Sequence, residues 1–435
     1  MMLQPLRNNS RQQSVLGSAS TPAPTGGWNA RDNIANMKPD EALILDNWFP
    51  EAKQVTLRNG YSEHATDFGV AQIETLLAYA SGTVNRLFAC TSVGEIYDVT
   101  VRGEIDSPES VVISSSRIQY VNFGTVGGNF IMCVNGEDDP FNYNGSTWQN
   151  TPAITGSGLV PSNLIHVNVF KNRLFFVEKN TLKFWYLPVS SIGGTAQEFD
   201  LSSLCVLGGY LMAMGTWSRD GGDGIDDLAV FITSKGEVII YQGTDPGDAD
   251  AWALVGVFRI GAPVGRRCLF KLGGDLIIIS QDGFLPLSRV LGTARTDKGA
   301  VISNKIERAV TEATRLYGDN YGWQAILYPR GNMGIFNVPL RENNRSHQYV
   351  VNTTTGAWCR FTWQNAICWE VFNDELYFGA ASSAPHYCGV YKADSGQSDA
   401  GANREGDMQP AFSYFGSRGR LKRFTNVRPV FTTNG

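Results

Sequence analysis

The chain has 435 residues, of which 43% are hydrophobic and 18% are charged, so it can bury a sizeable core. Its net charge of −5 argues against a general nucleic-acid binder, since such proteins usually present a basic surface. The polar opening "MMLQPLRNNSRQQ" and the lack of a long apolar run argue against a signal peptide and a membrane span.

The N-terminal region divides into two predicted parts. Residues 1–27 are rich in Ser, Thr, Gln, Asn, Pro and Gly, which predicts a flexible arm that is either disordered or ordered on a partner. Residues 28–72 are predicted to be an anchoring segment, with Trp28, Trp48 and Phe49 as candidate assembly anchors.

A short helix is predicted within the anchoring segment. Pro39 suits the first position of a helix, because proline has no backbone N–H to leave unpaired there. Asp40 and Glu41 would follow in the first turn, where the helix dipole favours negative charge.

Residues 73–395 change to short apolar strands separated by polar or glycine-containing corners. In "KNRLFFVEKNTLKFWYL" (171–187), a polar corner precedes an apolar strand, a turn at Lys179–Asn180 and a second strand. Seven similar units align on Leu87, Phe130, Leu174, Leu228, Leu276, Gly334 and Leu376.

The spacing of these units predicts the fold class. A period of about 40–50 residues with three or four strands per unit is typical of propeller blades. A small sheet buries both of its faces only when it packs between two neighbours around an axis. The sequence therefore predicts an all-β fold, a β-propeller of six or seven blades, with a two-sheet β-sandwich as the alternative.

One segment within the propeller has helical periodicity. "GAVISNKIERAVTEATRLY" (299–317) has apolar residues on one helical face and charged residues on the other. The apolar face consists of Ile302, Ile306, Ala309, Val310, Ala313 and Tyr317. The pattern predicts one inserted amphipathic helix, packed either on its own domain or against another subunit.

Residues 396–435 are predicted to be a C-terminal strand segment that either closes the propeller or serves in assembly. Its stretch "FSYFGSRGRLKRFTNVRPVF" is unusually basic, and alternate residues from position 418 to position 422 would lie on one strand face. The stripe is either a contact for DNA phosphate or an acidic partner, or a solvated outer face. The candidate contact residues are Arg418, Arg420, Lys422, Arg423 and Arg428.

Two acidic stretches are candidate chemical sites. "WSRDGGDGIDD" (217–227) lacks the ligand spacing of a calcium loop, so it is interpreted as a solvated loop; its aspartates are Asp220, Asp223, Asp226 and Asp227. "VNGEDDPFNYNGSTW" (134–148) ends like the Asp box of sugar hydrolases, but Phe141 and Tyr143 replace the serine and aspartate of that motif. Its Asn-Gly pairs are interpreted as turns, and Glu137, Asp138 and Asp139 as exposed loop charges.

The remaining reactive residue types do not form a motif. The seven cysteines are scattered and mostly lie in apolar runs, which predicts buried reduced thiols and a reducing compartment. The four histidines have no metal-ligand spacing. The sequence therefore predicts no catalytic residue, no metal and no cofactor, and a protein that is not an enzyme.

Several phrases resemble one family of phage tail proteins. They include "GGWNARDNIANMKPDEALILDNWFP", "YVNFGTVGGNFIMCVNGEDDPFNYNGSTW", "YLMAMGTWSRDGGDGIDDLAVFITSKGEVIIYQGTDP" and "HQYVVNTTTGAWCRF". The chain resembles the nozzle or hub protein of short-tailed bacteriophages, a family also called tail tubular protein B or packaged-DNA stabilisation protein. The likeness extends from Gly26 onward and consists of structural phrases, not active-site motifs.

The resemblance implies a structural protein of the virion tail, assembled in the host bacterial cytoplasm. It implies a homo-oligomeric ring, a hexamer, that encloses the DNA exit channel and helps to retain and then deliver packaged DNA. The implied partners are the tail adaptor or portal-proximal ring, tail fibres or a tip protein, and the phage genomic DNA.

Two readings from other functional classes stay open. A propeller glycan hydrolase acting on the host surface would depend on carboxylates such as Asp138, Asp139 or Asp223. A glycan-binding receptor module would use propeller loops without catalysis.

Overall fold

The computed structural model describes residues 17–220, 225–291, 301–381, 388–417, 419 and 421–432, without the side chains of residues 219, 220, 225 and 226. Seven of its β-sheets contain antiparallel strands in meander order and stand in a ring, each between two neighbours. The chain is an all-β, seven-bladed β-propeller. The number of blades is the larger of the two predicted, and the alternative of a two-sheet sandwich is wrong.

Five strands precede the first blade. They are β1 (Gly27–Trp28), β2 (Glu41–Asp46), β3 (Trp48–Pro50), β4 (Val55–Leu57) and β5 (Ser62–Thr66).

The first three blades follow in chain order. Blade 1 consists of β6 (Ile73–Ala80), β7 (Asn85–Thr91) and β8 (Ile96–Asp98), and is followed by the short strand β9 (Gly103–Glu104). Blade 2 consists of β10 (Gln119–Thr125), β11 (Gly128–Val134), β12 (Phe141–Tyr143) and β13 (Trp148–Gln149). Next come β14 (Ile154–Thr155), β15 (Leu164–Phe170), β16 (Arg173–Glu178), β17 (Lys183–Tyr186), β18 (Gly194–Thr195) and β19 (Gln197–Asp200). Of these, β15, β16, β17 and β19 form blade 3, and β14 pairs with β18 separately.

The other four blades complete the ring. Blade 4 consists of β20 (Leu211–Asp220), β21 (Ile225–Thr233), β22 (Glu237–Gly243) and β23 (Trp252–Arg259). Blade 5 consists of β24 (Leu269–Leu272), β25 (Asp275–Ser280) and β26 (Gly283–Pro286), and is followed by α1 (Leu287–Val290) and α2 (Glu307–Tyr317). Blade 6 is built on β27 (Gln324–Tyr328), β28 (Met333–Arg341), β29 (Arg345–Asn352) and β30 (Trp358–Phe361). Blade 7 is built on β31 (Ala366–Phe372), β32 (Glu375–Ala380) and β33 (Gly389–Lys392), and β34 (Asp407–Pro410) comes last.

The seven aligned residues of the repeat all lie on the second strand of their blade. That strand has hydrogen-bonded neighbours on both edges and a packed sheet on both faces, so its sequence is almost continuously apolar. The corner before β16 is also where the sequence predicts it, since Lys171 and Asn172 have φ of 46° and 58°. The predicted turn after β16 contains Asn180 at φ 61°, a left-handed conformation that asparagine adopts readily.

The first strands of the blades surround the propeller axis. Contacts run from β6 to β10, β15, β20, β24, β27 and β31 in turn, and β31 packs against β6. Six hydrophobic clusters fill the space between and beside the blades, and most of their members are apolar residues of the first three strands.

The ring is closed by a strand from the N-terminal segment. β5 pairs antiparallel with β33, with Ala65 opposite Val390 and Ser62 opposite Lys392. The propeller therefore includes the strand Ser62–Thr66, although the sequence predicts that the propeller begins at residue 73. The C-terminal segment does not supply the closing strand, because β33 already has β5 on its free edge.

The rest of the N-terminal segment extends blade 6. β2 pairs in parallel with β1 and β30, and antiparallel with β34. The predicted helix at Pro39 is wrong, because Glu41 begins a strand whose backbone bonds to neighbouring strands. The buried Glu41 side chain is held by Asn29 Nδ2 at 2.6 Å and by Lys305, so its charge is compensated there and not by a helix dipole.

The predicted amphipathic helix is present between blades 5 and 6 as α2. It begins at Glu307, after a 3-10 turn at Asn304–Ile306, and positions 299 and 300 of the predicted helix lie outside the described residues. Ile306, Val310 and Ala313 are buried in the same cluster as blade 6 residues, so the helix packs on its own domain.

Two sequence expectations concern membranes and thiols. Neither described helix has the length and apolar character that crossing a membrane requires. All seven cysteines are free, and every one except Cys205 is buried.

Candidate functional site at the propeller axis

The predicted assembly anchors lie in this chain's own interior. The Trp28 ring is 5.3 Å from that of Tyr349, and Phe49 meets Phe361 edge-on at 6.4 Å. Trp28 and Phe49 are each only 7% exposed, and the half-buried Trp48 packs against the same cluster. Their apolar surface is used to attach the N-terminal segment to blade 6, so they are not presented to a partner.

The predicted basic stripe is only partly described. Arg418 and Arg420 lie outside the described residues, whereas Lys422, Arg423 and Arg428 are exposed. The described part of 411–432 contains no strand, so the predicted alternation on a strand face is not present there. A strand needs a hydrogen-bonded neighbour along its length, and in the described part of this segment the backbone bonds to another strand at its first residue, where the Ala411 N–H donates to the Glu41 carbonyl oxygen at 2.9 Å.

The acidic residues of the first stretch lie in the corner between β11 and β12, whereas the second stretch, predicted to be a loop, contains the end of β20 and the start of β21. Asp138 accepts hydrogen bonds from the Ser114 backbone N–H at 2.7 Å, from Ser114 Oγ at 2.6 Å and from Asn135 Nδ2 at 2.7 Å. Although burial opposes ionisation, these hydrogen bonds lower the pKa of Asp138 below its usual value. Glu137 pairs with Lys179 at 2.6 Å, so the loop charges serve contacts between blade corners.

In the second acidic stretch, Asp227 is an acceptor for Lys171 Nζ at 2.9 Å and Ser218 Oγ at 2.7 Å. Asp223 lies outside the described residues, and the side chains of Asp220 and Asp226 are not described. Among the residues that the structure describes, no group of three or more Asp, Glu, His or Cys side chains could hold a metal.

The structure instead brings polar residues together in a cavity at the propeller axis. The cavity has a volume of about 180 Å³ and lies near the starts of most of the strands that line it. Six of the seven first strands contribute. The lining residues are Thr75, Leu76, Ile118, Gln119, Tyr120, His166, Arg266, Arg267, Leu269, Gln324, Ala325 and Glu370.

Arg267 is integrated into the cavity wall. Its Nη2 donates to Thr75 Oγ1 at 2.6 Å and to the Ile118 carbonyl oxygen at 3.1 Å, which joins blades 1 and 2 to the segment before blade 5. Its guanidinium also lies 5.4 Å from the Tyr321 ring centroid, within cation–π range. Arg267 is therefore fixed by several contacts from different blades.

Arg266 is less constrained. Its Nη1 makes one long hydrogen bond, 3.4 Å, to the Asn135 carbonyl oxygen. Within the described part of the chain no carboxylate forms an ion pair with it, and burial lowers the pKa of its guanidinium. The positive charge of Arg266 is thus poorly compensated within the chain.

Two further cavity groups have shifted protonation equilibria. Burial raises the pKa of Glu370 to about 7, although a 2.6 Å hydrogen bond from Tyr120 favours its charged form. Burial lowers the pKa of His166 to about 4, so this imidazole is neutral at physiological pH. His166 is 9% exposed, and its Nδ1 has no hydrogen-bond partner.

This cavity was not predicted from the sequence, because its residues come from distant blades. A usable signal exists in Gln119, His166 and Gln324, which are polar residues near the start of otherwise apolar first strands. Their common position in the repeat places them on the axis once the ring closes. The adjacent pair Arg266-Arg267, just before another first strand, carries the same signal.

Comparisons with known proteins find distant structural similarity. No family model and no curated protein matches the chain. A crystal structure of BBS1N in complex with ARL6DN, soaked with mercury, matches with a TM-score of 0.35 and 15% identity, over 50% of this chain and 64% of that chain. The same complex soaked with lead matches with a TM-score of 0.35 and 15% identity, over 48% and 59% of the two chains. The chain thus spans less than two thirds of these proteins, and such distant similarity carries no argument about function.

Proposed function

We propose that this chain is a ring-forming nozzle or hub of a short phage tail, a structural component that encloses the DNA exit channel and helps to retain and deliver packaged DNA. The observation that carries the proposal is a segment beside the propeller in which most of the described apolar side chains are exposed. We call residues 411–432 the exposed segment.

The exposed segment presents eight large apolar side chains at 36% exposure or more. They are Phe412, Tyr414, Phe415, Leu421, Phe424, Val427, Val430 and Phe431. Burying one such side chain stabilises a contact by about 1.5–3 kcal/mol, so a partner covering several of them would be held firmly. An apolar surface of this kind is typical of a protein that assembles.

The assembly partners are proposed from the same segment together with the sequence resemblance. The proposed contacts are with other copies of this chain in a hexamer, with the tail adaptor or portal-proximal ring, and with tail fibres or a tip protein. Lys422, Arg423 and Arg428 are exposed within the segment, where they suit an acidic partner or passing DNA phosphate. The net charge of −5 suits a wall along which DNA moves without strong binding.

Imaging tests the proposal directly. The purified chain at micromolar concentration is expected to form closed rings with an open centre in two-dimensional class averages, and a labelled copy is expected at the tail axis of the virion. A chain that stays monomeric and is absent from tails would exclude the proposal. Depolymerisation of host polysaccharide by the purified chain, lost in Asp138→Asn, would favour the glycan hydrolase instead.

A triple variant tests the basic residues. Arg418→Gln, Arg420→Gln and Lys422→Gln together are expected to weaken ring assembly or lower the DNA content of particles. A matched triple variant of exposed basic residues on the blades, Arg102→Gln, Lys235→Gln and Arg259→Gln, is expected to leave both unchanged. Equal particle yield and DNA content in the two triple variants would rule out a role for the stripe.

A further inference from the structure

We propose that the axial cavity is a binding site for a small oxyanion, held by Arg266, Arg267 and His166. The inference is independent of the proposed tail function, because it concerns the interior of one propeller. Four observations support it.

The first observation is the unpaired charge of Arg266. Even a partly buried guanidinium without a carboxylate carries a desolvation cost, and a folded protein usually compensates such a charge. Within the described chain, Arg266 makes only the 3.4 Å bond to the Asn135 carbonyl oxygen. The planar guanidinium has five N–H donors suited to carboxylate and phosphate oxygens, so a bound oxyanion would supply the missing partner.

The second observation is the unpaired nitrogen of His166. The side chain is nine-tenths buried, lines the same cavity and leaves Nδ1 without a partner. Buried polar atoms are nearly always hydrogen-bonded, and an exception points to a missing partner. When its proton is on Nδ1, the neutral imidazole of His166 can donate one hydrogen bond from that nitrogen to the oxyanion.

The third observation is the charge of the cavity wall. Arg266 and Arg267 are both positive, and Glu370 is the one acidic residue among the lining side chains of the described structure. Glu370 is hydrogen-bonded to Tyr120 at 2.6 Å. The nearby Glu74 and Glu342 lie within 3.5 Å of Arg117, so they compensate that residue. The cavity is therefore positive overall whether or not Glu370 is ionised.

The fourth observation is the size of the cavity. A volume of about 180 Å³ is far above the ~10–15 Å³ that one water needs, so a small polyatomic anion fits. Duplex DNA does not fit, since its major groove alone is about 12 Å wide. Inorganic phosphate and small carboxylates share the required chemistry.

Calorimetric titration distinguishes the two anion classes. Phosphate and malonate are titrated separately into the purified full chain at constant ionic strength. Saturable binding of phosphate only identifies a phosphate site, and saturable binding of malonate only identifies a carboxylate site. No saturable binding of either anion would overturn the proposal.

Variants locate the site. Arg266→Gln is expected to weaken binding at least ten-fold, because it removes the unpaired guanidinium while breaking only one long hydrogen bond. Arg259→Gln, an exposed arginine on blade 4, is the matched control and is expected to bind as the wild type does. Anion binding that is equally tight in Arg266→Gln would overturn the proposal.

A histidine readout gives a second, independent check. Ring ¹⁵N and ¹³C shifts of the four histidines are followed during the titration, and His166→Gln assigns the signal of His166. The His166 signal is expected to move with saturation while that of His64, whose Nε2 bonds the Val99 carbonyl at 2.7 Å, stays unchanged. A saturating anion that leaves the His166 signal in place would show that the ion binds elsewhere, against the proposal.

Discussion

At the scale of single residues, the buried ion pair of Arg58 and Asp399 joins the N-terminal segment to the region after blade 7. The two guanidinium nitrogens meet the two carboxylate oxygens at 2.8 and 2.6 Å, and Arg58 Nε donates to Asn47 Oδ1 at 2.9 Å. Arg58 is 2% exposed, so removing it leaves the Asp399 charge buried and unpaired.

Arg58→Met is therefore expected to lower the free energy of unfolding by about 3–5 kcal/mol, measured by urea titration. Arg330→Met is the control, because the Arg330 side chain is 62% exposed in its pair with Glu375. That variant is expected to lose no more than about 1 kcal/mol. Similar losses in the two variants would contradict the importance of the buried pair.

Glu370 gives a pH dependence that can be isolated by substitution. Its pKa is about 7 in the folded chain, above the usual 4.5, so between pH 4.5 and 7 the folded chain keeps a proton that the unfolded chain releases. Its contribution to stability is therefore lost as pH rises through this window, by at most about 3 kcal/mol.

Glu370→Gln removes this pH-dependent contribution to stability, because glutamine does not titrate. The free energy of unfolding of the variant, relative to that of the wild type, is expected to increase from pH 5 to pH 8 in urea titrations. Glu342→Gln, which alters a more exposed carboxylate paired with Arg117, is measured over the same range as the control. A constant difference for Glu370→Gln would mean that its carboxyl is ionised throughout.

At the scale of elements, closure by β5 is the feature on which the ring depends. Without it, β33 would leave an unpaired edge, and blade 7 would have only the three strands that follow blade 6. Proline in this strand removes a donor and clashes with strand pairing.

Ala65→Pro is expected to destabilise the chain by at least about 1–3 kcal/mol, the cost of leaving one buried backbone group unpaired, because Ala65 is 2% exposed and lies opposite Val390. Ala19→Pro makes the same change in an exposed residue outside any strand and is expected to be neutral. Thermal unfolding followed by circular dichroism measures both. If Ala65→Pro unfolds at the wild-type temperature, β5 does not hold the ring closed.

At the scale of the whole molecule, the exposed segment is expected to govern assembly without contributing to folding. Leu421→Ser, Phe424→Ser and Val427→Ser together should abolish oligomers in sedimentation experiments while the thermal unfolding of the propeller stays unchanged. The three side chains are 107%, 62% and 79% exposed.

Val70→Ser, Val101→Ser and Val112→Ser form the control for this variant. These side chains are 87%, 81% and 80% exposed on the propeller itself. Oligomers are expected to persist in the control. Loss of oligomers in both triple variants would show that general surface apolarity, and not the exposed segment, drives association.

The repeat could be predicted because strand and turn preferences are local. The second strand of every blade is an apolar run in the sequence. Residues that adopt the left-handed backbone conformation readily, such as Asn172 and Asn180, lie at the corners. The apolar face of α2 was also predictable from its spacing. The true start of that helix was not, because it depends on the 3-10 turn at Asn304–Ile306, whose Ile306 is buried among residues of blade 6.

The sequence by itself determined an all-β repeat, buried thiols and one amphipathic helix, since these follow from alternation, turn residues and helical spacing. Only the tertiary structure decided that the blades number seven, that β5 closes the ring and that Trp28 and Phe49 pack inside. It also decided that Arg266, His166 and Glu370 meet at the axis. Edge pairing depends on backbone hydrogen bonds that every side chain except that of proline permits, and an axial site joins residues from distant blades only after closure.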